Sequence, residues 1–256
     1  MVSRSFNNHW DLATVHRGIA ILMIVWAVTG NAMNKKITLI IFDCDGVLID
    51  SEILSAQVLI QKLSEIGIVI DTDYVQKHYL GCSFKSVTEK ILNAFGLQLS
   101  AEFEDEYRVA LMAQFNKTLQ ATLGVKDVLA QLSLPFCLAT SSSRARTQQA
   151  LAITGLSDFF EGTIFTAEEV KNGKPAPDLF LHAAHSMAAS PANCLVIEDS
   201  LAGVTAAKAA GMQLAHYKGG SHIAESEDMI TKAFPDVPVI KSWQDFEFIQ
   251  PSLFIK

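Results

Sequence analysis

Basic charge is the first thing this chain is short of. Twenty lysines and arginines stand against 27 aspartates and glutamates, a net charge of −7. That balance excludes the basic footprint of a nucleic-acid binder. Cysteine is scarce as well. Cys44, Cys82, Cys137 and Cys194 show no Cys-x-x-Cys pair and no metal spacing, so neither a disulfide framework nor a zinc site is expected. Three of the four lie in or beside apolar runs, where cysteine acts as a small hydrophobe. A reduced, cytoplasmic setting follows. Internal repeats, heptads and low-complexity tracts are missing, which excludes solenoids and coiled coils. No apolar run is long enough for a membrane span. The longest, Ile19 to Val28, falls short of the roughly 20 residues a spanning helix needs, and no stable membrane association is expected. This run suits either the apolar region of a signal peptide, with Gly30-Asn31-Ala32 as a cleavage site, or an upstream extension before Met33. The extension is favoured, and residues 1–34 are set aside from the fold.

What is present is apolar: half of the 256 residues are hydrophobic, enough for one large domain or a core with a smaller insert. The organising stretch is Ile37 to Ser51. Ile37 to Phe42 is a short, β-branched run that predicts a buried strand. Asp43, Asp45 and Gly46 follow at once. Unpaired carboxylates at the end of a buried strand cost several kcal/mol unless a metal or cation meets them. The carboxyl end of a strand in an open α/β sheet is also where ligands sit. Asp43 has the chemistry of a nucleophile that takes a phosphoryl group, and Asp45 that of a proton donor to the leaving oxygen. The plainer reading of the same residues is a turn that ends a strand.

Beyond this stretch the pattern is helical. Ser51 is expected to cap a helix to about Ile66, with Leu59, Leu63 and Ile66 on its apolar face. Further helices start at Asp71 or Thr72, at Ser83 (Val87, Ile91 and Ala94 on one side) and at Ser100 (Phe103, Tyr107, Leu111, Phe115). Residues 51–117 therefore read as an all-helical cap inserted into an α/β core of residues 35–50 and 118–256. Alternation resumes with strands at 135–140, 163–166, 194–197, 213–217 and 237–240. The fold class is α/β: a Rossmann-like, doubly wound parallel sheet.

Strand ends carry the chemistry. Thr140 and Ser141 offer hydroxyls and backbone N–H groups at a helix start, suited to phosphate. Glu198 and Asp199 are hard oxygen donors suited to Mg²⁺. Lys174 lies in Gly173-Lys174-Pro175-Ala176-Pro177-Asp178, where the prolines stiffen the loop. Taken singly, these are an ordinary helix cap, a helix-start pair of acids and a solvated lysine. Together and in order they are not.

In that order the chain resembles the haloacid dehalogenase superfamily of hydrolases. Phe42-Asp43-Cys44-Asp45-Gly46-Val47 matches its first motif and Leu138-Ala139-Thr140-Ser141 its second. The Lys174 loop matches the third, and Val196-Ile197-Glu198-Asp199-Ser200-Leu201-Ala202-Gly203 the fourth. The resemblance implies Mg²⁺ and an aspartyl-phosphate intermediate. It makes Asp43 the nucleophile and Asp45 the acid/base. Thr140, Ser141 and Lys174 would bind the phosphoryl group. Asp43, Asp199 and the backbone carbonyl of Asp45 would be metal ligands, with Glu198 a ligand or a partner that orients one. Within the superfamily the chain is most similar to the β-phosphoglucomutase-like branch of small sugar phosphatases. It departs from the mutases at Ser55, where they carry His, and at Phe84, where they carry Arg. Both departures favour hydrolysis. The implied substrate is a small phosphorylated sugar or sugar acid. Residues 191–222 resemble bacterial sugar-acid phosphatases, which makes 6-phosphogluconate a candidate. Phe84 and Lys85 are the expected substrate-choosing residues, and the chain is expected to be a monomer or small homo-oligomer. A phosphosugar mutase and a non-catalytic sugar-phosphate-binding domain are the alternatives.

Overall fold

The computed structural model describes residues 36–79, 81–223 and 229–254. The expectations for residues 1–34 lie outside the described residues. Strand β1 (Leu39–Phe42) is flanked by β2 (Phe136–Thr140) and β4 (Cys194–Glu198). With β3 (Ile164–Thr166), β5 (Gln213–Tyr217) and β6 (Val239–Ile240), they form one parallel sheet in the order β3-β2-β1-β4-β5-β6. The chain winds outward from β1 through β2 to β3. It then returns to β4 on the other side of β1 and winds outward again. That reversal opens a crevice at the carboxyl ends of β1 and β4, where open α/β sheets hold ligands.

Both faces of the sheet are covered, as a parallel sheet requires. Side chains alternate along β1. Leu39 and Ile41 enter a cluster with Cys137, Val196, Leu179 and Phe180. Phe42 points the opposite way, against the rings of Phe136, Phe160 and Trp243. The helices that cover the faces include α6 (Arg144–Thr154), α7 (Asp178–Ser186), α8 (Leu201–Ala209) and α9 (Trp243–Ile249). The indole N–H of Trp243 donates to Thr122 Oγ1, whose hydroxyl is 2.6 Å from the Val47 carbonyl. The C-terminal part of the chain thereby fixes the loop after β1.

Between β1 and β2 lie α1 (Glu52–Glu65), α2 (Thr72–His78), α3 (Phe84–Phe95), α4 (Ala101–Thr118) and the short α5 (Val125–Gln131). Among the described residues, 52–118 contain no strand. Asp71, Ser83 and Ser100 cap α2, α3 and α4 through their side chains, as their sequence positions predict. The first four helices share a core of their own, built on Leu59, Leu63, Val75, Ile91 and Phe103. Three local expectations fail. Ser51 makes no capping bond with its side chain. Ile66 is 43% exposed, and Ile68 takes the buried place beyond the turn. Ala94 faces solvent. Ile66 is the residue at which α1 ends, so it leaves the helical face. No helix among the described residues is long and apolar enough to cross a membrane.

Candidate active site

At the end of β1 the backbone continues one bond beyond the strand: Asp43 N–H donates to the Ile197 carbonyl of β4. The carboxylate of Asp43 is thereby delivered to the switch point. Lys174 arrives from the loop before α7, with its side chain 1% exposed. Its ammonium donates to Asp43 Oδ1 at 2.6 Å and to Glu198 Oε1 at 2.7 Å, and sits 4.8 Å from the Phe180 ring centre. Burial alone would lower the Lys174 pKa, but the two carboxylates outweigh it and hold the ammonium charged. Glu198 Oε2 accepts the backbone N–H of Ser200 at the start of α8. A Cβ at position 203 would fall on the Glu198 carboxylate, so glycine there makes the room.

Asp43, Glu198 and Asp199 each offer an oxygen, all within 4.8 Å of one another. Burial pushes Asp43 well above the ordinary carboxylate range against the pull of Lys174, and Glu198 and Asp199 add to the rise. Burial also raises Asp199, with Glu198 next. Three ionised carboxylates against one ammonium leave an excess of negative charge in a dry place. Asp199 Oδ2 has no hydrogen-bond partner among the described residues. An all-oxygen, acidic donor set of this kind fits a hard divalent cation.

Asp45, only two residues on, has a different environment. The turn through Gly46 (φ +76°) reverses the chain, and a Cβ there would fall on the Asp199 carboxylate and the His222 ring. The Asp45 carboxylate is therefore outside the trio. It is gripped by a guanidinium fork: Arg146 Nη1 donates to Oδ2 at 2.9 Å and Nη2 to Oδ1 at 2.8 Å. Ser51 donates to Oδ1 at 2.5 Å and Ser142 to Oδ2 at 2.7 Å. This answers the missing helix cap: Ser51 turns its hydroxyl to Asp45 instead. Burial would raise the Asp45 pKa, but the charge and hydrogen bonds of Arg146, with those of Ser51 and Ser142, hold it below the usual range. Charge-assisted, bidentate bonds of this kind are the strong ones.

Both carboxylates line one cavity of about 890 Å³. On the sheet side it also meets Thr140 and Lys174. On the helical side it meets Glu52, Phe84, Lys85, Tyr107 and Arg108. Thr140 is buried, and its Oγ1 accepts the Ser142 N–H at 3.1 Å. Ser141 reaches across to the Gly81 carbonyl at 3.3 Å. Phe84 stacks on Tyr107, ring centres 5.1 Å apart. The structure thus gathers Asp43, Thr140, Lys174, Glu198 and Asp199 at one sheet edge. Asp45 and Ser141 lie beside them, and Phe84 and Lys85 opposite.

Sequence reasoning missed Arg146, Ser142, Glu52 and His222. Ser142 lies just before the N-cap of α6 and Arg146 in its first turn, but nothing local names Asp45 as their partner. His222 ends Gly219-Gly220-Ser221-His222 after β5. A polar cluster at a further strand end was the available signal.

Residues 37–211 match the family model described as a haloacid dehalogenase-like hydrolase. The chain is 27% identical over 189 residues to the 6-phosphogluconate phosphatase of Escherichia coli, covering 73% of this chain and 86% of that protein. It is 32% identical over 187 residues to the β-phosphoglucomutase of Bacillus subtilis, covering 68% of this chain and 80% of that protein. Among solved structures, a conserved haloacid dehalogenase-like protein of Agrobacterium tumefaciens superposes with a TM-score of 0.72 at 33% identity. That match covers 84% of this chain and 98% of the other. With two carboxylates in one buried crevice and these likenesses beside it, the chain belongs to the haloacid dehalogenase-like hydrolases and is a phosphoric monoester hydrolase of that superfamily.

Proposed function

We propose that the protein is a Mg²⁺-dependent phosphatase of small phosphorylated sugars or sugar acids, with 6-phosphogluconate the first substrate to try. One observation carries the reading: two carboxylates two residues apart share a cavity but have opposite partners. Asp43 sits with Lys174 and two further acids, and Asp45 is held in the fork of Arg146. A group that must attack phosphorus and a group that must move a proton need such different settings.

In this reading an oxygen of Asp43 attacks phosphorus, the bond from phosphorus to the ester oxygen breaks, and Asp43 carries the phosphoryl group. Asp45, ionised while Arg146 and Ser142 hold it, takes up a proton from the incoming phosphate monoanion as those bonds give way, and passes it to the departing oxygen. Asp45 then takes a proton from a water as it attacks phosphorus, the bond from phosphorus to Asp43 breaks, and inorganic phosphate leaves. Lys174 holds Asp43 in its attacking orientation and offsets charge as it builds. Thr140 and Ser141 receive the phosphoryl oxygens. Asp43, Glu198, Asp199 and the backbone of Asp45 would hold Mg²⁺, which supplies charge neutralisation for the phosphoryl oxygens. Residues 51–117 serve as a cap over a core of residues 35–50 and 118–256, and their cavity-facing side chains choose the substrate. The four cysteines are free, which supports a reducing, cytoplasmic setting.

The test is phosphate release from a panel of phosphorylated sugars and sugar acids, with Mg²⁺ and with chelator. Mg²⁺-dependent release from members of this class supports the reading, and no release from any member overturns it. A second arm uses β-glucose 1-phosphate with a catalytic amount of glucose 1,6-bisphosphate. Glucose 6-phosphate forming faster than free phosphate would replace the phosphatase with a mutase.

A further inference from the structure

Helix α6 opens with Arg144 and Arg146 and has no acid in its first turn. That end of a helix favours negative charge, so both arginines need acids from elsewhere. Arg144 pairs with Glu169 near the surface. Arg146 pairs with Asp45 in the cavity, where its side chain is 17% exposed. It also reaches the helical wall. Its Nη2 donates to Ser55 Oγ at 3.3 Å, and its guanidinium carbon lies 5.2 Å from the Phe115 ring centre.

While this pairing lasts, Asp45 has nothing left to offer a substrate. Each of its oxygens takes one hydrogen from Arg146 and one from a serine, Ser51 on Oδ1 and Ser142 on Oδ2. Four donors occupy the lone pairs of one carboxylate. When Asp45 leaves the fork to meet the departing oxygen, the guanidinium loses its counter-charge. Among the described residues no other acid is bonded to Arg146, and its buried Nε has no partner. Glu52 is the other carboxyl close enough to feel its charge, and burial pushes Glu52 up to about 8, so it keeps its proton at neutral pH. Ser55 is neutral. A guanidinium fork is matched by a second carboxylate and poorly by a single hydroxyl. Arg146 lines the cavity, so a bound molecule can supply that carboxylate.

We propose that Arg146 is an exchange clasp that sets specificity: it trades the Asp45 carboxylate for a carboxylate on the body of the substrate. A phosphorylated sugar acid then frees Asp45 on binding, and a neutral sugar phosphate lacks the group that does so. This rests on the phosphatase reading above and singles out the sugar acids within its substrate class.

The test compares 6-phosphogluconate with glucitol 6-phosphate, which has the same carbon chain and a CH₂OH in place of the carboxylate. Binding is measured by calorimetry in Mg²⁺ on the full chain carrying Asp43→Asn, so that ligand is held without turnover. The sugar acid is expected to bind about tenfold tighter or more. Adding Arg146→Lys, which keeps the charge and loses the fork, should cut that preference to about threefold or less. Adding Asp45→Asn instead should widen it by about tenfold, because the ligand no longer competes for the fork. Equal binding of the two ligands, a preference that Arg146→Lys leaves intact, or one that Asp45→Asn fails to widen overturns the clasp. Phosphate release by wild type is read separately. A chain that binds in the expected pattern yet releases no phosphate supports the clasp and overturns the phosphatase.

Discussion

The cavity has two banks that differ in kind. On the sheet side the polar residues are out of reach of water: Thr140 is 1% exposed, Lys174 5% and Asp43 6%, and Glu198 and Asp199, the acids beside Asp43, are 0% and 4%. Asp43 and Glu198 are held by Lys174, and Thr140 takes the Ser142 N–H. On the helical side Phe84 is half-buried and Lys85 exposed, and the side chain of Arg108 is 42% exposed where it pairs with Glu104. Exposed pairs of that sort contribute little. The difference separates two tasks. The sheet bank fixes charges whose positions the chemistry cannot let drift. The helical bank carries side chains that are partly or fully exposed and are not bonded to those charges.

The sharpest break of that division is Asp43→Asn. An amide keeps the shape of the side chain but cannot attack phosphorus. Phosphate release should fall by about 10⁴-fold or more. The melting temperature should stay level or rise, because a carboxylate that burial disfavours has been neutralised. Activity near wild type would move the nucleophile elsewhere. Lys174→Met comes next. It leaves Asp43 and Glu198 buried without their counter-charge, which costs about 3–5 kcal/mol. Urea unfolding should show that loss, and a variant as stable as wild type would mean the sheet bank is not held together by this lysine.

Most of the sheet bank was legible because its signals are local. Short β-branched runs make strands, and carboxylates, hydroxyls and a proline-flanked lysine stand at their ends. The order of those ends also led to the fold class. What stayed hidden is who meets whom. Ser51 stands where a helix cap is expected, yet Asp45 outbids the helix for its hydroxyl. Arg146 looks like a solvated charge on α6 until the turn at Gly46 swings Asp45 under it. His222 lies 176 positions from Gly46 in numbering, but its ring fills the space that a side chain at Gly46 would need. Partner choice of this kind is decided by chain reversals and crossovers, which leave no period or spacing to read. Ile66 and Ala94 failed for the related reason that the apolar face of a short helix shifts with its neighbours.

Glu52 sits where the two banks join, and pH tests it. Burial, with the charges of Asp45 and Asp199, raises its pKa from 4.5 to about 8. A carboxyl that is harder to ionise when folded stabilises the fold relative to high pH. The unfolded chain loses that proton first, so its contribution falls as pH climbs from about 4.5 to about 8 and stays lost above. Glu52→Gln removes the titration. In chelator, the melting temperature of the variant relative to wild type should climb through that window and level off beyond it. A constant difference across the window would show that Glu52 is as well solvated as a surface acid.

The smallest effects belong to the helical bank, and they test its independence most directly. Phe84 stacks on Tyr107 at the cavity wall, so Phe84→Ala removes a flat surface against which a sugar ring can lie. Its contacts are with the body of the substrate, which does not change during the reaction. A loss of this kind weakens ground state and transition state alike, raising KM while leaving kcat. The expected rise is about three- to tenfold for a hexose phosphate, in keeping with roughly 1 kcal/mol of aromatic contact. Acetyl phosphate, which carries no ring, should show no rise. Lys85→Ala, at the exposed rim, should change kcat/KM by less than about threefold, with most of that effect gone in high salt. If Phe84→Ala instead lowers kcat equally for the hexose phosphate and for acetyl phosphate, the helical bank is shaping the reacting groups themselves. The separation between holding charge and choosing substrate would then fail.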